Sequence, residues 1–246
     1  MTVRLLAPAK LTVSLRVTGV RDDGYHLIDA EMVSVDLCDE LVVDDGDGLE
    51  VVEMATGLSV APDDTNLVFR ALRLAGRRAR VRLEKHVPAG AGLGGGSSDA
   101  AAILRWVGGV GLVEAASIGA DVAFCLVGGR ARVRGIGEIV EPLPHEQRDY
   151  TLLTPPFGVS TPEVYRTWDR LGGPQGEAGN DLEPAAIAAF PELTEWRDAL
   201  SDATGQRARL AGSGGTWFVD GAYTGVAHRG VEARVVGTVG PMPAGR

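Results

Sequence analysis

The residues best suited to chemistry lie in one glycine-rich stretch, PAGAGLGGGSSDAA, from Pro88 to Ala101. Consecutive glycines let a backbone turn its N–H groups inward and approach an anion closely, and a helix opening directly after them adds free N–H groups and a positive dipole end. That combination is a phosphate cradle; a glycine-rich turn that simply caps a helix is the other reading of the same residues. A GxxxxGK[ST] P-loop is absent. Gly90, Gly92 and Gly95 satisfy GxGxxG, but a proline separates the loop from its strand and no acidic residue ends a second strand at the dinucleotide distance. HRD and DFG, the protein-kinase signatures, are missing as well. The second chemical signal is compositional. Of 24 basic side chains only Lys10 and Lys85 are lysines, and a compact ammonium does chemistry that a planar guanidinium cannot replace.

The elements that must position these groups read as follows. Leu11, Val13, Leu15 and Val17 alternate as a strand that stops at Gly19 and the turn Arg21 to Gly24, and Val33, Val35 and Leu37 alternate likewise. Asp64-Thr65-Asn66 precedes Leu67, Ala71 and Leu74 at helical spacing, and Val81 to Lys85 reads as a strand. Ser97-Ser98-Asp99 opens an alanine-rich helix through about Trp106, and Val122 to Val127 reads as a strand. The loop Glu141 to Arg148 marks a change of composition, which predicts domains at 1–146 and 147–246. The second part starts with strand Tyr150 to Leu153. A helix follows, capped at Thr161-Pro162 and carrying Val164 and Tyr165, and a second glycine cluster, Ala211 to Thr216, precedes strand Trp217 to Val219. This order predicts an α+β fold in two lobes.

Bulk properties narrow the partners. A net charge of −9 argues against nucleic acid or an anionic membrane surface. No apolar run approaches the roughly 18 residues of a membrane span, and the N-terminal residues lack the regions of a signal peptide. Two cysteines, Cys38 and Cys125, are too few for a disulfide framework. The expectation is a cytoplasmic protein acting on a small molecule, as a monomer or weak homodimer. His86, His145 and His228 show no metal spacing.

The loop PAGAGLGGGSSDAA resembles the second signature of the GHMP superfamily of galactokinase, homoserine kinase, mevalonate kinase and phosphomevalonate kinase. APAKLTVSLRVTGVRDDGYH (Ala7 to His26), GADVAFCL (Gly119 to Leu126), VSTPEVY (Val159 to Tyr165), NDLEP (Asn180 to Pro184) and LAGSGGTWF (Leu210 to Phe218) resemble, in order, the 4-diphosphocytidyl-2-C-methyl-D-erythritol kinase family. The resemblance implies a two-lobed GHMP fold, with an N-terminal βαβ lobe for ATP and catalysis and a C-terminal ferredoxin-like lobe that completes the substrate site. It implies an ATP- and Mg2+-dependent kinase of the non-mevalonate isoprenoid pathway, acting on the 2-hydroxyl of a cytidine-diphosphate substrate.

Residue by residue, the resemblance gives Pro88, Ala89, Gly90, Ala91, Gly92, Leu93, Gly94, Gly95, Gly96, Ser97 and Ser98 to the ATP phosphates, with Ser97 or Ser98 near the magnesium. Asn66 and Lys85 fall on the adenine side; a helix cap and a strand-end charge are their plainer readings. Asp121 faces the acceptor hydroxyl beside Lys10. A carboxylate does not deprotonate an alcohol in the ground state, so Asp121 is expected to orient the hydroxyl and take its proton late. Taken alone, Lys10 reads as a strand-end lysine and Asp121 as a helix cap. Tyr25 and Tyr165 supply ring faces to cytosine, His26 its base-edge hydrogen bond, and Thr161 and Thr12 polar contacts.

Departures from the family pattern are also visible. Thr12 replaces an asparagine, and Ala123 replaces a proline, which is expected to loosen the turn that aims Asp121. Gly108, Gly109 and Gly111 predict a short or broken helix between Trp106 and Ile118. Gly221 to Gly230 offers barely enough residues for the helix that normally packs on the second sheet, and Gly215 stands where a larger residue or proline is common. Two alternatives stay open: an alcohol kinase of the superfamily with another acceptor, and a catalytically weakened nucleotide-binding relative. A nicotinamide-dependent oxidoreductase, resting on GxGxxG alone, is more distant.

Overall fold

In a computed structural model, residues 2–54 and 59–242 are described. Two long antiparallel strands, β1 (Val3–Val20) and β2 (His26–Asp44), form the spine of the first sheet. Their register shifts between Pro8 and Lys10, between Thr12 and Ser14, and between Val17 and Gly19. Such irregularities re-aim side chains, and the first two flank the residues that reach into the site. β3 (Gly48–Glu53), α1 (Leu67–Leu74) and β4 (Arg80–Lys85) make a βαβ unit, with β3 parallel to β4. Then come α2 (Gly95–Val107), α3 (Leu112–Ile118) and α4 (Val122–Val127), followed by β5 (Arg130–Gly135) and β6 (Ile139–Leu143). The sheet runs β3-β4-β2-β5-β6, with β1 laid on β2.

The second sheet uses β7 (Asp149–Leu153), β8 (Arg209–Leu210), β9 (Trp217–Asp220) and, near the end of the chain, β12 (Arg234–Gly237), in the order β12-β7-β9-β8 and antiparallel throughout. Between β7 and β8 lie α5 (Thr161–Arg170), α6 (Glu183–Ala189) and α7 (Leu193–Thr204). The small hairpin of β10 (Ala227–His228) and β11 (Val231–Glu232) occupies the segment where sequence left bare room for a helix. Every strand of the first sheet ends by Leu143, and every strand of the second begins at or after Asp149. Part of the expected Glu141 to Arg148 loop is therefore the end of β6.

One core packs α1, α2 and α4 onto the first sheet through Leu41, Leu83, Ile103, Leu104 and Phe124, all fully buried. Each such side chain contributes about 1.5–3 kcal/mol relative to exposure. A second cluster joins the sheets: Leu11 and Val35 meet Tyr150, Leu152 and Phe218 across Ala91 and Leu93, so the glycine-rich loop is clamped between the two halves by its own apolar residues.

Three expectations need correction. Val122 to Val127 is helix α4 and not a strand; Val122, Ala123, Phe124 and Cys125 are all buried, so a short helix surrounded by core shows no period. Helix α2 begins two residues before Ser97, capped by Gly94 in the left-handed region (φ +67°), so the loop's last turn is itself helical. The N-cap of α5 is Ser160, which leaves the Thr161 hydroxyl for another partner. The glycines after α2 do break the helix as expected: Gly108 ends it and α3 starts afresh at Leu112. Among the described residues no helix is long and apolar enough to cross a membrane.

Candidate active site

The site is built where β1, the glycine-rich loop and the second glycine cluster meet. The Lys10 backbone N–H donates to Leu93 O at 2.9 Å, so the strand pairs with the loop as the ladder with β2 shifts register. The lysine stem runs beneath the loop and is 5% exposed. A Cβ on Gly94 would stand 2.6 Å from Lys10 Cγ, and Gly94 has positive φ, so only glycine fits over the lysine. The two glycine clusters touch back to back: a Cβ on Gly92 would lie 2.6 Å from Gly214 Cα. Thr216 N–H bonds Ala91 O at 3.1 Å across the same seam.

At its tip, Lys10 Nζ lies 3.1 Å from Asp121 Oδ2 and donates to Thr12 Oγ1 at 3.1 Å. Thr12, the departure from asparagine, is thus an acceptor for the lysine. Asp121 caps α4 without a side-chain bond to the helix, which leaves its carboxylate facing the ammonium. Ala123 is fully buried inside α4, and the turn before it is closed by Val122 N–H to Gly119 O at 3.0 Å. The turn is also buttressed from outside. A Cβ on Gly137, in the β5–β6 turn, would fall 2.3 Å from Ala120 O, so that glycine permits the close approach.

Gly94 and Lys10, which pack on each other, line two different cavities. One, of about 360 Å³, is lined by the loop from Pro88 through Ser97 together with Asn66, Lys85 and Asp99. The other, of about 490 Å³, is lined by Lys10, Thr12, Tyr25, His26, Asp121, Thr161 and Tyr165, with Gly212 and Ser213 from the second cluster. The expected substrate residues therefore share one cavity. The expected nucleotide residues share the other, except Ser98, which is buried with its hydroxyl donating to Pro8 O at 2.6 Å. Asn66 caps α1, accepting from Val68 N–H at 3.0 Å, and also lines this cavity.

Lys85 is no strand-end surface charge. It is 2% exposed and paired with Asp39 and with Asp99, the latter at 2.7 Å. Asp39 also accepts the backbone N–H groups of His86 at 2.5 Å and Val87 at 2.8 Å, fixing the entry of the loop. Complete burial pushes the Asp99 carboxyl up to about 8 despite the lysine, and Asp99 Oδ1 has no hydrogen-bond partner among the described residues. The two carboxylates raise the proton affinity of Lys85 against its own burial. Tyr165 is also raised, by burial and then by the charge of Asp121 across the cavity.

Sequence reasoning missed three contributors. Asn180 donates to Leu210 O at 2.9 Å and Gly212 O at 2.7 Å and accepts from Leu182 N–H at 2.9 Å, which holds the second glycine cluster in place. Asp39 has no local signal, since its partner is 46 residues away. Asp169 bonds His26 Nε2 at 2.8 Å; its spacing of one helical turn from Tyr165 was the available clue. Thr161 Oγ1 meets Ser213 Oγ at 2.8 Å, tying α5 to the second glycine cluster.

Comparison with known proteins gives the following. Residues 66–129 match the GHMP kinases N terminal domain. A 4-diphosphocytidyl-2-C-methyl-D-erythritol kinase of Paracoccus denitrificans is 41% identical, covering 96% of this chain and 92% of that protein. One from Cereibacter sphaeroides is 39% identical, covering 86% and 87%. A crystal structure of 4-(cytidine 5'-diphospho)-2C-methyl-D-erythritol kinase superposes with a TM-score of 0.76 at 32% identity, covering 97% of this chain and all of that one.

Proposed function

The chain belongs to the 4-diphosphocytidyl-2-C-methyl-D-erythritol kinase family of the GHMP kinases, and we propose that it transfers the γ-phosphoryl group of ATP to the 2-hydroxyl of 4-diphosphocytidyl-2-C-methyl-D-erythritol. The products are the 2-phosphate and ADP, within the non-mevalonate route to isoprenoid precursors. The observation that carries this reading is the Lys10–Asp121 pair, 3.1 Å apart, in a cavity shared with Tyr25, His26 and Tyr165, with the Lys10 stem packed under Gly94 of the glycine-loop cavity.

Each group has a task. The loop N–H groups and the start of α2 hold the nucleotide phosphates. Asp121 orients the acceptor hydroxyl, whose oxygen forms a bond to the γ-phosphorus as the bond to the ADP oxygen breaks; the hydroxyl proton passes late to the carboxylate. Lys10 sets a point charge beside the oxygens that gain charge. At about 4 Å and an effective dielectric near 20, one such charge is worth about 4 kcal/mol, several hundredfold in rate. Tyr25 and Tyr165 offer ring faces to the cytosine, His26 its edge contact, and Thr12 and Thr161 polar contacts.

Magnesium fits the nucleotide cavity. Ser97 and the unpartnered Asp99 Oδ1 line it, and Mg2+ commonly takes one or two protein oxygens beside phosphates and waters. Ser97 and Asp99 would hold the ion, with Asp99 giving up, as the ion binds, the proton it otherwise keeps to about pH 8, and the bound ion would supply charge neutralisation on the phosphates. The free Cys38 and Cys125 are in keeping with a cytoplasmic location. We assign ATP binding and catalysis to 1–146 and completion of the substrate site to 147–246.

The test is ATP turnover with 4-diphosphocytidyl-2-C-methyl-D-erythritol, homoserine and mevalonate as separate acceptors. ADP formation with the first alone is expected; turnover of only one of the others rejects the assignment.

A further inference from the structure

The Asp169–His26 contact bears on which pyrimidine the site accepts. His26 opens β2 directly after the turn that carries Tyr25, and its side chain is only 10% exposed. The ring centroid lies 4.6 Å from that of Tyr165, and the edge of Trp168 holds it from another side at 5.5 Å. Asp169 and Tyr165 are four residues apart on α5 and share a face. One turn of helix thus supplies both the stacking partner and the hydrogen-bond partner of the imidazole.

An ionised carboxylate accepts and cannot donate, so the 2.8 Å contact requires the hydrogen on Nε2. In the neutral ring, Nδ1 is then a lone-pair acceptor, and among the described residues it has no partner. His26 lines the cavity that also holds Tyr25 and Tyr165. Cytosine presents an exocyclic amine at C4, whereas uracil presents a carbonyl oxygen at the same place. A lone pair on Nδ1 accepts from the amine and repels the carbonyl; the opposite tautomer would reverse that preference.

We propose that Asp169 is the positioning residue that locks His26 into the Nε2–H tautomer, so that Nδ1 selects cytosine over uracil. The inference rests on the cytidine-diphosphate reading of this cavity and adds to it the residue that sets base discrimination. Asp169 is 49% exposed on its helix, so its replacement leaves the core intact. The carboxylate acts through the histidine, as outer partners of functional histidines fix tautomer and ring orientation elsewhere.

The experiment compares the wild type with Asp169→Ala, using CDP and UDP as binding probes, ATP as a control for folding, and ring 15N NMR of histidine for the tautomer. The wild type should bind CDP on the order of tenfold or more tighter than UDP, since a mismatched base leaves buried groups unpaired. In Asp169→Ala the ratio should collapse toward one, and KM for the cytidyl substrate should rise far more than kcat falls. The His26 signals should shift from a single Nε2–H form to mixed tautomers while ATP affinity holds. An unchanged CDP to UDP ratio in the variant overturns the proposal and leaves the kinase reading standing. A wild type that binds neither CDP nor the cytidyl substrate overturns both.

Discussion

Replacing Gly94 by alanine puts the coupling between the loop and Lys10, the lysine proposed to act in catalysis, under direct stress. Gly94 sits at φ +67°, where an L side chain costs about 1–2 kcal/mol. The new Cβ would also lie 2.6 Å from Lys10 Cγ and 3.0 Å from Cε. Ordinary carbon contacts are about 3.5–4.0 Å, so the lysine stem or the loop must yield by about 1 Å. The stem is buried under the loop, and its Nζ is held 3.1 Å from both Asp121 and Thr12, so a shift there misplaces the ammonium. Misplacement on that scale costs about a hundredfold in rate. The matched control is Gly19→Ala on β1, which lines neither cavity: its Cβ would meet only Leu27 Cδ1 at 3.8 Å, and its φ is not positive. That change is expected to keep kcat within about twofold and stability within about 1 kcal/mol. Steady-state kinetics with both substrates and urea denaturation read the two variants side by side. A Gly94→Ala enzyme with kcat within threefold of wild type, or equal losses in both variants, would refute the claim that the loop sets the lysine's position.

Three further outcomes follow from the same geometry. Asp99 is buried and its proton affinity is raised to about 8 by desolvation, so its contribution to stability is fully present below about pH 4 and is lost as pH rises through about 8. Melting curves from pH 4 to 8 should fall less steeply for Asp99→Asn than for the wild type; parallel curves would contradict the assignment. Asn180→Ala removes the amide that fixes Leu210 and Gly212, and should cost about 1–3 kcal/mol in denaturation and raise KM for the cytidyl substrate. Tyr25 is 60% exposed, so Tyr25→Ala should leave stability within about 0.5 kcal/mol and weaken CDP binding; a large loss of stability with intact CDP binding would make it a structural residue.

What was legible in the sequence follows the range of the interactions. The glycine-rich loop could be read locally as a turn, because Gly92 and Gly94 answer to positive φ and close contacts. The alternating strands and the broken helix after Val107 were equally local. Helix α4 was misread because Val122 to Cys125 are buried on every side, which erases periodicity. Lys85 stood out by type, but its pairing with Asp39 depends on the β2–β4 register and on the fold of the loop, neither of which spacing encodes. Gly221 to Gly230 was read as barely long enough for a helix; the described residues form none there, and the hairpin β10–β11 that overlaps its end was not foreseen.

Phosphoryl transfer is assigned to Lys10 and Asp121, which line one cavity beside the contact of Lys10 with Gly94 of the glycine-rich loop. Asp121→Asn tests it most directly, with kcat measured on the cytidyl substrate and ATP affinity measured by calorimetry. The account predicts a loss of at least about a hundredfold in kcat with ATP affinity within about twofold, since the carboxylate faces the acceptor cavity and not the phosphate loop. An unchanged kcat, or a loss explained wholly by failure to bind ATP, would contradict it.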